Sequence, residues 1–357
     1  MNRRTATLLI AGSACLWNRA LQSAAAATQP VKIRMSVDED PIVPRLAESL
    51  GYLKREGVEL VKVKVEDFAA EDYLLQQPLI QGQIDASYHW FNHAVFGARH
   101  KLPVTAVMLF NDAPGMTVLV ANRVKHKIHS AADFKGRRVA EGAGYGTKSL
   151  LTNYLARKAG LPPHSFIPVL TEPDGRLQAV INGLEKGTVD VMTFQEPITS
   201  ALLGTGMVTP LYDLNSAQST RRVLGATWPA QSLLVAPAFI AANPHSVQRL
   251  VNAFVSAMRF ISTHSVEEII AALPSDYFSG KDRQIELAAI RAALPTFAQP
   301  DYSFPAAAVH LVVDAIQSFD FDGSAEGRWR ATAEWTQIDE SALYTNRFVR
   351  SAVQHTG

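Results

Sequence analysis

Cysteine is almost missing from this chain: Cys15 is the one thiol among 357 residues. Without a second cysteine there is no disulfide within the chain, no iron–sulfur cluster and no cysteine-ligated zinc. Net charge is nearly missing too. The 34 Lys and Arg residues stand against 33 Asp and Glu, a formal charge of +1, and neither a basic tail nor an arginine stripe marks a nucleic-acid partner. No apolar run is long enough to cross a bilayer comfortably. Short repeats and low-complexity linkers are absent. So are the G-x-S-x-G elbow of hydrolases, the H-E-x-x-H helix of zinc proteases and the Walker loop. Gly146-Thr-Lys-Ser149 approaches the Walker ending, but Thr147 separates the glycine from Lys148.

What is present begins with an N-terminal segment unlike the rest. Arg3 and Arg4 give a basic start, Thr5 to Trp17 is mostly small and apolar, and Ser23-Ala-Ala-Ala-Ala27 supplies small residues before Thr28-Gln29-Pro30. That order reads as a secretory signal peptide over residues 1–27, cut near Ala27. Cys15 leaves with it, so the mature chain has no thiol. Three arginines and no acid leave too, and the formal charge becomes −2. The Arg3-Arg4 pair is a weak twin-arginine signal. Gly12 stands where a lipoprotein signal usually has leucine, which argues against lipidation of Cys15.

Beyond Pro30, short β-branched runs alternate with helical spacing. Strands are expected at Val31–Val37, Val58–Val65, Ile84–Tyr88, Val104–Phe110, Met116–Ala121, Arg137–Ala140, Phe166–Leu170 and Val189–Phe194. Helices are expected at Pro41–Lys54, Asp72–Gly82, Trp90–Arg99, through to Lys158 after Gly142–Ser149, and at Gly175–Glu185. From Pro237 onward helical patterns dominate: Asn243-Pro244 opens one to about Ser262, and others cover Ser265–Leu273, Lys281–Leu294 and Pro305–Ser318. Alternating strands and helices indicate an α/β fold with parallel strands. The βα pattern runs twice, from Val31 and from about Met116, which predicts two lobes of similar build.

Five stretches carry a resemblance. They are Glu48–Leu60, Leu79-Ile-Gln-Gly-Gln-Ile-Asp-Ala86, Ala132-Asp-Phe-Lys-Gly-Arg-Arg-Val-Ala140, Gly183–Val191 followed by Gln195-Glu-Pro197, and Phe239–Arg249. In this order over residues 31–260 they resemble the type-2 periplasmic binding proteins of ABC importers, in the group that binds alkanesulfonates, taurine, nitrate and thiamine pyrimidines. The resemblance implies a two-lobe fold, each lobe a mixed, mainly parallel sheet flanked by helices, with a helical C-terminal region. It implies a discontinuous lobe one (28–113 and 229–345), a lobe two (114–228) and a tail (346–357), with crossings near Pro114 and Trp228. The implied role is capture of a small polar molecule in the cleft, by hinge closure, for delivery to a membrane permease and its ATPase. The implied place is the periplasm. No catalysis, cofactor, metal or nucleic-acid partner is expected, and the protein should act as a monomer.

In open α/β sheets ligands lie beyond the carboxyl ends of strands, and that rule selects the candidates. Gly142–Ser149, with Gly144, Tyr145, Thr147 and Ser149, lies between a strand and a helix, where glycines allow close backbone approach and free amides favour an anion. Its plainer role is a turn with Thr147 as a cap. Tyr88, His89 and Trp90 end the third strand and suit a cleft floor or simple core packing. His89 and His93, four apart, would share a helix face, yet no carboxylate motif joins them as a metal site. Asp38, beside Glu39 and Asp40, would repel an anion and attract a cation. Asn111, with Asp112 and Met116, marks the first crossing, and Gln195 and Glu196 follow a lobe-two strand. Thr171, Glu172 and Trp228 are weaker candidates. An anion-friendly turn facing an acidic loop points to a ligand with both charges or none.

Two rivals keep the fold. One is an enzyme resembling fungal thiamine-pyrimidine synthases, which need a cysteine-rich iron motif missing here. The other is a sensor that presents a ligand to a receptor. The signal-peptide reading is checked by mass spectrometry of protein exported by a bacterial host. The expected N-terminus is Thr28, and a secreted chain still carrying Met1–Ala27 would overturn it.

Overall fold

The computed structural model describes residues 29–37, 41–64, 76–99, 101–141, 146–170, 176–280, 282–298, 301–318 and 338–355. Ten strands form two sheets. Val31–Val37 (β1), Val58–Lys64 (β2), Ala86–Trp90 (β3) and Thr105–Leu109 (β4) precede the first crossing between the sheets. Met116–Ala121 (β5), Arg138–Glu141 (β6), Ile167–Leu170 (β7), Val191–Gln195 (β8) and Val208–Leu214 (β9) follow it. The chain then crosses back and ends its strands with Gln231–Val235 (β10). The orders are β2-β1-β3-β10-β4 and β7-β6-β8-β5-β9.

The two sheets share one plan. Each has four strands pointing the same way and one reversed strand in fourth place: β10 is antiparallel to β3 and β4, and β5 to β8 and β9. Each reversed strand is the first formed after a crossing. The mixed, mainly parallel two-lobe architecture is as the resemblance implied.

A matching ion pair locks each sheet. Gly82, at φ 68°, turns the chain in the left-handed region three residues before Asp85. Asp85 then accepts from the Arg34 backbone N–H (2.8 Å), Nε (3.1 Å) and Nη2 (2.6 Å), and its own N–H returns a bond to the Arg34 carbonyl at 2.8 Å. Gly187, also at φ 68°, stands three residues before Asp190. Asp190 accepts from Arg138 N–H (2.8 Å), Nε (3.1 Å) and Nη2 (3.1 Å) and from Arg123 Nη2. Burial pushes the Asp190 carboxyl up, but the arginine hydrogen bonds outweigh it and hold it below the usual range.

Helices cover the faces. Pro244–Thr263, with Pro244 in its first turn, buries Leu250, Val251, Phe254 and Met258 beneath lobe one. Arg347–His355 lies along it through Phe348, Val349 and Ala352. Ala306–Ser318 packs on Asn92–Arg99 of lobe one and on Thr147–Lys158 of lobe two. Arg157 reaches Asp314 of that helix at 3.1 Å, so it bridges the lobes away from the crossings.

Three details differ from the sequence reading. The helix expected over Pro41–Lys54 is two, Ile42–Ser49 and Tyr52–Arg55, because Gly51 is left-handed at φ 71°. The third strand starts at Ala86 rather than Ile84, since Asp85 is committed to Arg34. Strands β9 and β10 had not been read at all: β9 carries Pro210 within it, and β10 is only Gln-Ser-Leu-Leu-Val.

Asp190→Ala should cost about 3 kcal/mol in urea unfolding, because it strands two arginines and a buried N–H. Glu59→Gln, which breaks only the exposed pair with Lys32 at 3.3 Å, should cost under about 1 kcal/mol. Equal losses would show that the buried pair has no special weight.

Candidate functional site

The two crossings run side by side. Ala230 N–H donates to the Asn111 carbonyl (2.8 Å), Trp228 N–H to that of Asp112 (2.9 Å), and Asn111 N–H to that of Gln231 (3.3 Å). A third segment joins from the opposite edge: Asp112 N–H donates to the Thr296 carbonyl at 3.0 Å, and Ala298 N–H to that of Phe110 at 2.8 Å. This narrow hydrogen-bonded ribbon joins the two lobes.

A cleft of about 210 Å³ opens against the ribbon. From lobe one it is lined by Trp90, Asn111, Gln231 and Thr296, and from lobe two by Gln195, Glu196 and Asn215. Ala289, Ala292 and Ala293 form an apolar wall. Trp90 ends β3 and Gln195 ends β8, so strand carboxyl ends from both sheets converge on one space, as open α/β sheets favour. Asn111 is buried and donates through Nδ2 to Thr296 Oγ1 at 2.7 Å, a bond between residues 185 apart in the chain. Glu196 Oε2 accepts from Ser200 N–H at 3.1 Å.

Four sequence candidates, Trp90, Asn111, Gln195 and Glu196, therefore share this cleft. Tyr88 and His89 lie in the interior. Tyr88 stacks on Phe110 with ring centroids 4.4 Å apart, and burial drives its hydroxyl far above the usual range. His89 stacks on His93 at 4.1 Å; burial first, then His93, hold it well below the ordinary imidazole value. The two rings meet across a strand and the helix after it, not on one helix face as expected, because β3 runs through His89 to Trp90. Among the described residues no group of three or more His, Cys, Asp or Glu is placed to hold a metal.

Thr147 and Ser149 are buried in the first turn of Thr147–Lys158. Gly146 is the N-cap, without a capping side chain, and that turn contains no acid. Its amides thus suit an anion or an acceptor oxygen. Beside it Glu141 ends β6; burial raises its carboxyl to about 7 against the pull of Asn153, whose Nδ2 donates to it at 2.6 Å. Asp38, Gly144 and Tyr145, with Thr171 and Glu172, lie outside the described residues. Trp228 is fully buried at the second crossing.

Sequence reasoning missed Asn215, Gln231 and Thr296. Asn215 follows β9 and Gln231 opens β10, the two unread strands. Thr296 reaches the cleft only through tertiary folding, and no local pattern announces it.

A family model described as the NMT1-like family matches residues 36–275. No curated protein matches this chain. Solved structures share the fold at low identity. A protein of Bordetella bronchiseptica is 23% identical, covering 92% of this chain and 98% of its own, with a TM-score of 0.69. The periplasmic aliphatic sulphonate binding protein of Escherichia coli is 20% identical over 89% and 99%, with a TM-score of 0.65. The periplasmic nitrate-binding protein of Synechocystis is 13% identical over 92% and 89%, with a TM-score of 0.62.

The crossing carries its own titration. Asp112 is buried, and burial raises its carboxyl from 3.8 to about 6, with Arg221 opposing. A raised carboxyl contributes stability that is complete below the ordinary value and lost as pH rises through the folded one. Asp112→Asn should therefore flatten the stability profile between about pH 4 and 6 and leave the variant about 2 kcal/mol steadier at pH 7 than that titration would allow. Parallel profiles for the two proteins by pH-resolved urea melts would refute this.

Proposed function

This chain belongs to the NMT1-like family, and on that premise we propose that it is the solute-binding component of an ABC-type importer. It captures a small polar molecule between its lobes and presents the closed form to a permease and ATPase. The observation that carries this reading is the cleft itself. Residues from both sheets line one space at the ribbon where the chain crosses twice. A solute that touches Trp90 and Asn111 on one side and Glu196 and Asn215 on the other binds best when the lobes approach. Its binding energy then shifts the population toward closure. A cleft of about 210 Å³ suits a small solute rather than a polymer.

The reading needs no bond-making step. It places the protein in the periplasm as a monomer, reached through the signal peptide of residues 1–27. Contact with the solute is assigned to Trp90, Asn111, Gln195 and Glu196, to Thr147 and Ser149 at the start of the Thr147–Lys158 helix, and to Asp38, Gly144 and Tyr145. Tyr88 and His89 support the floor from within. Relatives named for sulphonate and nitrate define the first compounds to try.

The test is thermal unfolding of the purified protein with taurine, alkanesulfonates, nitrate, pyrimidine thiamine precursors and simple amines. A solute bound only by the folded form adds about 2.7 kcal/mol at a hundredfold excess over its dissociation constant, so one class should raise the midpoint clearly. Trp90→Ala should weaken that class about tenfold, from lost aromatic contact. No shift with any compound would remove the case for solute capture.

A further inference from the structure

We propose that the captured solute carries a compact apolar body, and that one face of a C-terminal helix, with Ala289, Ala292 and Ala293, sets how large that body can be. The inference rests on the solute-capture reading and names the part of the solute that the cleft selects.

The helix Arg283–Ala293 begins at Asp282, whose side chain accepts from the Gln284 and Ile285 N–H groups. Its alanines are strong helix formers. Ile290 is buried in the lobe-one core, and Ala293 packs partly against the same core. Residues three and four apart on a helix share a face. With Ile290 turned inward, Ala289, Ala292 and Ala293 therefore stand together on the neighbouring face, and all three line the cleft. Ile285, four residues before Ala289, continues that face and is 47% exposed. The end of the helix is tied to the first crossing. Thr296 Oγ1 donates to the Ala293 carbonyl at 2.6 Å and accepts from Asn111 Nδ2 at 2.7 Å. The alanine wall is thus anchored to the ribbon.

The rest of the lining leaves selection to the body. Gln195 and Asn215 are amides and Trp90 has an indole N–H, so donors and acceptors mix there and serve heads of either polarity. No Lys, Arg or His lines the cleft among the described residues, so a bare inorganic anion meets no counter-charge. The Trp90 ring, Ala113, Pro114 and Ala230 extend the apolar surface begun by the three alanines. Alanine offers only a methyl, and a Leu or Ile in its place would occupy space that is open here. The cleft measures about 210 Å³, against the roughly 150 Å³ in which an apolar cavity holds benzene. It has room for one ring, or a chain of similar bulk, with a small head. Each CH₂ that such a body takes out of water tightens binding about fourfold.

The experiment is isothermal titration of the purified protein with three series, each keeping one head and enlarging the body. They are methane-, butane- and benzenesulfonate; acetate, pentanoate and phenylacetate; and methylamine, butylamine and benzylamine. Weak members are read by displacement of the tightest. In a series whose head the cleft accepts, affinity should rise at least about tenfold from the smallest body to the largest. Ala292→Leu should weaken the large-bodied members at least about tenfold and leave the smallest within about twofold, with an unchanged unfolding midpoint. Ala289→Leu gives the same reading should the first variant fold poorly. Gln284→Leu, at an exposed position of the same helix outside the cleft, should change no affinity. Binding indifferent to body size, or an Ala292→Leu loss shared equally by small and large members, would overturn the inference and leave solute capture standing. Silence from all three series would overturn it as well; capture then survives if another compound of the thermal panel binds, and falls with it if none does.

Discussion

Asp85 and Asp190 hold equivalent places in two different sheets, and much of the molecule is arranged around them. Each comes three residues after a left-handed glycine, each closes a helix-to-strand turn, and each takes the backbone and side-chain N–H groups of an arginine on the neighbouring strand. A carboxylate gripped this way fixes the register of β1 with β3 and of β6 with β8. That register sets where β3 and β8 end, and therefore where Trp90 and Gln195 emerge. The cleft is aligned from the opposite end of the strands that build it. Desolvation opposes burial of such a charge, and only several well-aligned donors offset it.

Much of this plan was legible in the sequence. The motifs Gly82-Gln-Ile-Asp85 and Gly187-Thr-Val-Asp190 announced both turns, and the doubling of the βα pattern announced two lobes. Strands with β-branched runs, such as Val58–Lys64 and Met116–Ala121, declared themselves because burial demands that composition. The reversed strand β10 did not. It is short, lies between proline-bearing segments, and takes its strand character from β3 and β4 on either side. The candidate site divided along the same line. Trp90, Asn111, Gln195 and Glu196 follow strands that local pattern revealed. Asn215 and Gln231 belong to strands that only pairing reveals, and Thr296 arrives from a helical region that gave no hint of approaching the first crossing. Tyr88 and His89 share a strand with Trp90, but interior packing claimed both of their side chains.

The ribbon of two crossings and the 294–298 segment gives the lobes a common edge, while the Ala306–Ser318 helix touches both lobes elsewhere. Two attachments of such different kinds constrain the motion. The ribbon is backbone hydrogen bonding, with Gly115 and Gly225 near it, both at positive φ. The helix contact is mainly apolar, with a polar link from Arg157 to Asp314 at its surface, the kind of packing that shear motions use. On the solute-capture proposal, closure is a rotation about the ribbon with slip beneath the helix, which would bring Asn111 and Glu196 together.

The placement of β10 also has a consequence for biosynthesis. Lobe two is one uninterrupted segment, so β5 through β9 can pair as soon as residue 214 has emerged. Lobe one cannot. Strand β4 finds its sheet neighbour only in β10, and until residue 235 appears it is an apolar edge with no strand beside it. The half of the molecule that is made first is thus finished last. During folding, the segment from Thr105 to Leu109 is therefore a transiently open apolar edge, the kind of surface that makes incomplete folds prone to association.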